Sequence, residues 1–307
     1  MMLEKTTHIS VMKKEATKYL GAKEGGVFLD CTLGGGGHTK ALLDANKNNI
    51  VYAIDRDINA IERARKFLKD YKDRLFLYNF EFSKADSDVF NGIKFDGILA
   101  DLGLSTDQLK EDRGFSFNDE SFLDMRMDKE AKLTANEIVN ETESKELFRI
   151  LKEGGVGKEA SSIVNVILKN RPIETSKELA DIIKSVSYKF FKGKKVHPAT
   201  VVFQAIRIAV NNEFEEIKKL LSNVPDMAKA KTRLVVISFH SLEDKIVAST
   251  MRRWQKGEND NLSLIPIKET AKGLGKLITK KSLVPSDEEV LKNPASRSSL
   301  MRVFEFY

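Results

Sequence analysis

The stretch Leu29-Asp-Cys-Thr-Leu-Gly-Gly-Gly-Gly-His-Thr-Lys40 sets four consecutive glycines between an apolar run and a segment with helical spacing. Glycine inside an element costs ~0.5–1 kcal/mol relative to alanine. Four together therefore point to a loose turn or to backbone that must approach a ligand closely. A glycine-rich loop that leaves a first strand and opens a helix is the nucleotide position of open α/β sheets. The dinucleotide fingerprint G-x-G-x-x-G is not met, because its third glycine falls on Thr39 or Lys40 when counted from Gly34 or Gly35. No G-K-[ST] follows at the Walker spacing either.

Outward from this loop, Val27–Cys31, Ile50–Ile54, Arg74–Tyr78 and Phe95–Ala100 read as strands, with helical periodicity over Asn59–Tyr71. Strands separated by helical segments imply βαβ units and a parallel sheet. From Thr134 to Ser187 only helical patterns occur: Ala135–Val139, Ser144–Leu151, Lys158–Lys169 and Ser176–Ser187. Thr142-Glu-Ser-Lys and Thr175-Ser-Lys-Glu178 offer N-caps, the second as a capping box. A long helix through Glu213–Ala230 then precedes a buried strand, TRLVVISF (232–239), and Ser299–Tyr307 alternates once more. The pattern predicts one α/β sheet domain built from residues 1–108 and 206–307, interrupted by an all-helical insertion at 109–205.

Asp55 ends the second strand, 21 residues after Gly34. A carboxylate there can accept both hydroxyls of a ribose, or else cap the helix that starts near Asn59. A glycine loop with a ribose carboxylate, but without phosphate geometry, suits an adenosine ligand lacking a pyrophosphate; S-adenosylmethionine is the leading candidate. Asp101 closes FDGILAD at the carboxyl edge of the sheet, where it can face the methionine amine or an amine being methylated. Phe82, after the third strand, can lie against adenine or simply pack in the core.

The 307 residues are 41% hydrophobic and 31% charged, the composition of a soluble globular protein. No run approaches ~18 apolar residues, and MMLEKTTHIS has no apolar h-region, so neither a membrane span nor an export signal is expected. One cysteine, Cys31, rules out an internal disulfide and a multi-thiolate metal site, and fits the reducing cytoplasm. A net charge of +6 permits a polyanionic partner.

Taken together, DCTLGGGGHT, AIDRD, DGILADLGLSTDQL, RGFSF, LDMRMD, HPATVVFQAIRIAVNNE, ISFHSLEDKIV and NPASRSSLMR closely resemble the MraW (RsmH) family, in the family's order. The resemblance runs from Thr7–Met12 to the last strand. It implies a Rossmann-like class I methyltransferase sheet with a helical insertion. The implied activity is methylation of cytidine N4 in 16S rRNA of the small ribosomal subunit, with S-adenosylmethionine as methyl donor. It further implies cofactor contacts at Gly36, Gly37, His38, Asp55, Phe82, Asp101 and Gln108. The chain departs from the family pattern at 154–161 (GGVGKEAS) and at Val201, both in the insertion, where substrate contacts are affected more than cofactor binding.

His240, in SFHSLED, can be read as a general base, but Ser241-Leu-Glu-Asp244 also reads as a helix start with a capping box beside it. Four scattered histidines and one cysteine lack metal-ligand spacing, so no metal is expected. YKFFKGKKVHP (188–198) interleaves aromatic residues with Lys189, Lys192, Lys194 and Lys195, a pattern suited to RNA phosphates and unpaired bases, though equally found in a solvated loop. Many amino-methyltransferases carry an Asp/Asn-Pro-Pro-aromatic tetrad; Asp101-Leu-Gly-Leu104 stands in its place without the prolines or the ring. The base must then be gripped by other groups, and Asp101 is the candidate for the reacting amine's acceptor or for the cofactor's amine contact. The competing readings are a non-catalytic RNA-binding protein on the same scaffold and a nucleotide-dependent oxidoreductase.

Overall fold

The computed structural model describes residues 9–103, 113–116, 120–191, 198–258 and 272–307. These fall into two compact units, one drawn from 1–105 and 214–307 and the other from 106–213.

The first unit opens with α1 (Lys13–Tyr19), followed by β1 (Val27–Asp30), α2 (Gly37–Ala45), β2 (Ile50–Asp55), α3 (Ile58–Phe67), β3 (Leu75–Asn79) and β4 (Phe95–Asp101). With β5 (Ala228–Ser238), β6 (Gly275–Leu277) and β7 (Leu300–Phe306) added, the seven strands of the sheet run in the order β3-β2-β1-β4-β5-β7-β6. The first five in that order are parallel, whereas β7 runs antiparallel to both β5 and β6. Strand order reverses between β1 and β4, which opens a crevice at their carboxyl ends.

Both faces of the sheet are covered, as near-continuous apolar strands require. On one face Leu29, Cys31, Ile98, Ala100 and Val236 pack with Ile217, Leu220 and Val224 of α9 (Glu213–Met227) and with Val247, Met251 and Trp254 of α10 (Ser241–Lys256). On the other, Phe28, Val51, Leu99, Val235 and Ile237 pack with Leu42 and Leu43 of α2 and Ile61 and Ala64 of α3.

Element boundaries differ from the expected ones for identifiable reasons. The helix expected through Ala230 ends at Met227, with Pro225 in its last turn. Ala228 instead starts β5 opposite Phe95, so that strand begins four residues earlier than 232. The helix expected over Asn59–Tyr71 stops at Phe67 and continues as a 3-10 turn, Lys69–Tyr71. Three-residue β6 is too short for alternation to reveal.

The second unit contains α4 (Ala135–Glu141), α5 (Ser144–Glu153), α6 (Ala160–Lys169), α7 (Ser176–Phe191) and α8 (Pro198–Val210). Their apolar stripes meet in one core that includes Val139, Leu147, Ile163, Ile183 and Ile206. The two family-pattern departures belong to this packing: Val201 rests against the core, and a Cβ on Gly154 would fall 2.2 Å from that of Ala205. Thr142 does not cap α5, whose N-cap is Glu143 without a side-chain bond. Thr175 does accept from Glu178 N–H (3.2 Å), but Glu178 returns to the N–H of Glu174 (3.0 Å) rather than that of Thr175, so the box is displaced by one residue.

Asp57 is the N-cap of α3 and accepts from Asn59 N–H at 2.9 Å. Asp57→Ala should destabilise the protein by about 1 kcal/mol, read as a lower denaturant midpoint at unchanged slope.

Candidate functional site

β1 delivers a carboxylate with no access to solvent. Asp30 accepts from Thr39 Oγ1–H (2.6 Å) and Thr32 N–H (3.1 Å). Burial pushes its pKa up, opposed by nearby His38 and by these hydrogen bonds. The loop that follows turns tightly: Leu33 N–H donates to Ile54 C=O (2.9 Å) and Gly36 N–H to Leu33 C=O (2.8 Å). Gly34 (φ 49°) and Gly36 (φ 77°) occupy the left-handed region, where a Cβ is penalised. Gly37 has a different constraint, since a Cβ there would lie 2.2 Å from Ser10 Oγ. The glycine run is thus a built turn, and α2 starts on it with no side-chain cap.

Asp55, at the end of β2, ties the loop to the next strand. Its Oδ2 accepts from Gly34 N–H (2.8 Å) and its Oδ1 from Asp57 N–H (2.9 Å). The helix-cap alternative for Asp55 is therefore corrected, because Asp57 fills that role two residues later. Burial lifts the Asp55 pKa to about 6 despite the two backbone donors. Asn79, ending β3, donates to the carbonyls of Asp55 (2.9 Å) and Arg56 (3.0 Å) and holds the two strand ends together.

Asp101 closes β4. Its N–H donates to Thr32 Oγ1 (2.7 Å), and its Oδ2 lies 3.4 Å from Nε2 of His38, which stands in the first turn of α2. Both side chains are mostly buried, at 14% and 5% exposure. Among the described residues, neither His38 Nε2 nor Asp101 Oδ1 has a hydrogen-bond partner. Two buried polar atoms thus converge beside the glycine turn, an arrangement suited to a polar ligand group.

The structure therefore brings Gly36, Gly37, His38, Asp55 and Asp101 to the ends of β1, β2 and β4. Phe82 lies in a 3-10 turn after β3, half-buried against the core. Gln108, Lys192, Lys194 and Lys195 lie outside the described residues. His240 is itself the N-cap of α10, which corrects the capping box expected to start at Ser241. Its Nδ1 accepts from Glu243 N–H (3.4 Å), while Glu243 accepts from the N–H groups of His240 (3.3 Å) and Phe239 (2.8 Å). Asp30, Thr32 and Thr39 escape sequence reasoning, although a carboxylate ending an apolar strand just before a glycine turn is a visible signal.

The residues present fit S-adenosylmethionine. The glycine turn admits close approach, each Asp55 oxygen keeps a second lone pair for a ribose hydroxyl, and the Asp101–His38 pair offers unmet polar atoms for the amino-acid arm. The strand order, with its single reversed strand β7, and this carboxylate-lined crevice define a class I, S-adenosylmethionine-dependent methyltransferase.

The MraW methylase family model matches residues 5–307, and the chain belongs to that family. It is 39% identical over 314 residues to ribosomal RNA small subunit methyltransferase H of Sulfurimonas denitrificans, covering 97% of each chain. It is 41% identical over 302 residues to the protein of that name from Sulfurihydrogenibium sp., covering 96% of this chain and 98% of the relative. A relative of the same name from Picosynechococcus sp. is 41% identical over 299 residues, covering 97% of this chain and 96% of the relative.

Asp55→Ala should weaken S-adenosylhomocysteine binding by ~1–3 kcal/mol in calorimetric titration, because the ribose hydroxyls lose their acceptors. Since burial lifts the pKa of Asp55 to about 6, above its ordinary value of 3.8, the carboxyl takes up a proton as pH falls through 6. That protonation favours the folded state at low pH, and the contribution is lost as pH rises through 6. Ligand affinity should move oppositely, falling between pH 7 and pH 5 in the wild type. Asp55→Asn should bind weakly and without that dependence.

Proposed function

We propose that this chain transfers the methyl group of S-adenosylmethionine to N4 of a specific cytidine in 16S rRNA of the small ribosomal subunit, in the cytoplasm. The observation that carries the site assignment is the convergence of Asp101 and His38 at the end of β4, beside the glycine turn. The names and near-full-length similarity of the relatives support the rRNA substrate. Among the described residues no helix is long and apolar enough to cross a membrane.

When bound, the cofactor supplies a methyl group on a sulfonium, already a good leaving group, so no covalent nucleophile is needed. The chain must hold the donor and align the acceptor. Asp55 would accept the ribose hydroxyls, Gly36 and Gly37 would face the amino-acid arm, and Phe82 and Gln108 would contact the nucleoside. The cytosine amine is a poor nucleophile because its lone pair is delocalised into the ring. Asp101 would accept a hydrogen bond from that amine, letting the nitrogen pyramidalise, and would take up the proton the amine sheds as the methyl group leaves the sulfur. His38 Nε2 lies 3.4 Å from the Asp101 carboxylate, beside the position the amine would take. The helical unit carries the RNA substrate, with Lys192, Lys194 and Lys195 neutralising its phosphates.

Mass mapping of modified cytidines in 16S rRNA, from cells with and without this protein, tests the function. One N4-methylated cytidine should disappear in its absence, and an unchanged map would refute the assignment. Asp101→Asn keeps the shape and one acceptor oxygen but removes the charge. It should lower the single-turnover methylation rate by about ten-fold or more at saturating cofactor; recovery of most of the rate there would make Asp101 a binder of the methionine ammonium group instead.

A further inference from the structure

We propose that Phe239 is the surface on which the target nucleobase stacks, supplying from just beyond the end of β5 the aromatic ring that Asp101-Leu-Gly-Leu104 lacks. The proposal rests on the methyltransferase reading above and adds a substrate-positioning residue to it.

Register is the first support. Asp101 pairs with Ile237, and the ladder continues through Leu102 N–H donating to Ile237 C=O at 2.8 Å. β5 ends at Ser238, so Phe239 is the first residue beyond it, two past the Ile237 that pairs with Asp101.

Gly103 is the second. A Cβ there would lie 2.5, 2.8 and 2.9 Å from three atoms of the Phe239 ring. Gly103 has no positive φ, so backbone freedom does not account for it. The missing Cβ does: the ring leans on the bare backbone two residues past Asp101.

Anchoring is the third. Phe239 N–H donates at 2.8 Å to Glu243, whose side chain is only 1% exposed. The ring packs partly on the core beneath it yet stays partly exposed at the strand end. Phe28, Phe90, Phe95 and Phe304, by contrast, are at most 1% exposed. An anchored aromatic ring with one side covered is a platform for an unpaired base. A base drawn out of its stack needs such a surface if its exocyclic amine is to be held against Asp101.

The test uses the full chain, small ribosomal subunits from cells lacking the protein, and Phe239→Leu, Phe239→Tyr and Gly103→Ala variants. Phe239→Leu should lower kcat/KM for the subunit by about ten-fold or more, the scale of one lost base–aromatic stack. Phe239→Tyr should restore most of it, and S-adenosylhomocysteine affinity should be unchanged in both. Gly103→Ala, which keeps the ring but displaces it, should reproduce the loss with cofactor affinity retained, and so decides the matter if Phe239→Leu folds poorly. A leucine variant as active as wild type overturns the proposal, as does a fall in cofactor affinity that parallels the lost activity. Methylation by the wild type tests the underlying reading, and the contrast between leucine and tyrosine tests this one.

Discussion

A carboxylate sealed from water at the end of β1 governs this site. Burying Asp30 is costly unless its oxygens are met, and they are met by the Thr39 hydroxyl and the Thr32 amide. Those two partners stand where the ligand-facing groups are set. Thr39 follows His38 on α2, and Thr32 receives the amide of Asp101 from the adjacent strand. One satisfied carboxylate therefore locks a strand end, a helix start and the neighbouring strand into a single arrangement. The glycine turn, soft by composition, acquires its shape from that frame and from Asp55, which holds the Gly34 amide.

Four aspartates, three at strand ends and one at a helix start, show how environment divides labour among identical groups. Asp30 is wholly consumed by structure. Asp57 is consumed by helix capping. Asp55 accepts two backbone amides yet retains lone pairs, and its burial leaves it close to neutral-pH titration. Asp101 differs again, with one oxygen near an imidazole and the other without a partner among the described residues. Only the last two have acceptor capacity that the fold leaves unspent.

Much of this was legible in the sequence because the sheet is parallel and buried on both faces: β1, β2, β4 and the centre of β5 read as apolar runs, and the helical segment as a loss of strand signal. Asp55 and Asp101 were legible because each closes such a run. The finer assignments depend on through-space partners that spacing does not encode. Asp55 and Asp57 are equally plausible caps until the Gly34 amide is seen to claim the first. Ser241 is the usual capping residue type, yet His240 takes the role because its backbone is extended and its Nδ1 meets the third amide of the helix. The relation of Phe239 to Gly103 lies between strands far apart in the chain, and only the register reveals it.

The sheet is assembled from two separated stretches of chain, and this bears on the order in which the protein can form. β4 is flanked by β1, met early, and by β5, whose first residue is Ala228. During synthesis the segment through β4 therefore has an open edge that stays unpaired while more than a hundred further residues are made. The intervening helices form their core from contiguous sequence and incur little loop-closure delay. A nascent chain can thus complete its helical core while the catalytic sheet is still half-built. Closing that sheet also sets β5 beside the end of β4 and Asp101, so the completed crevice is among the last features the polypeptide acquires.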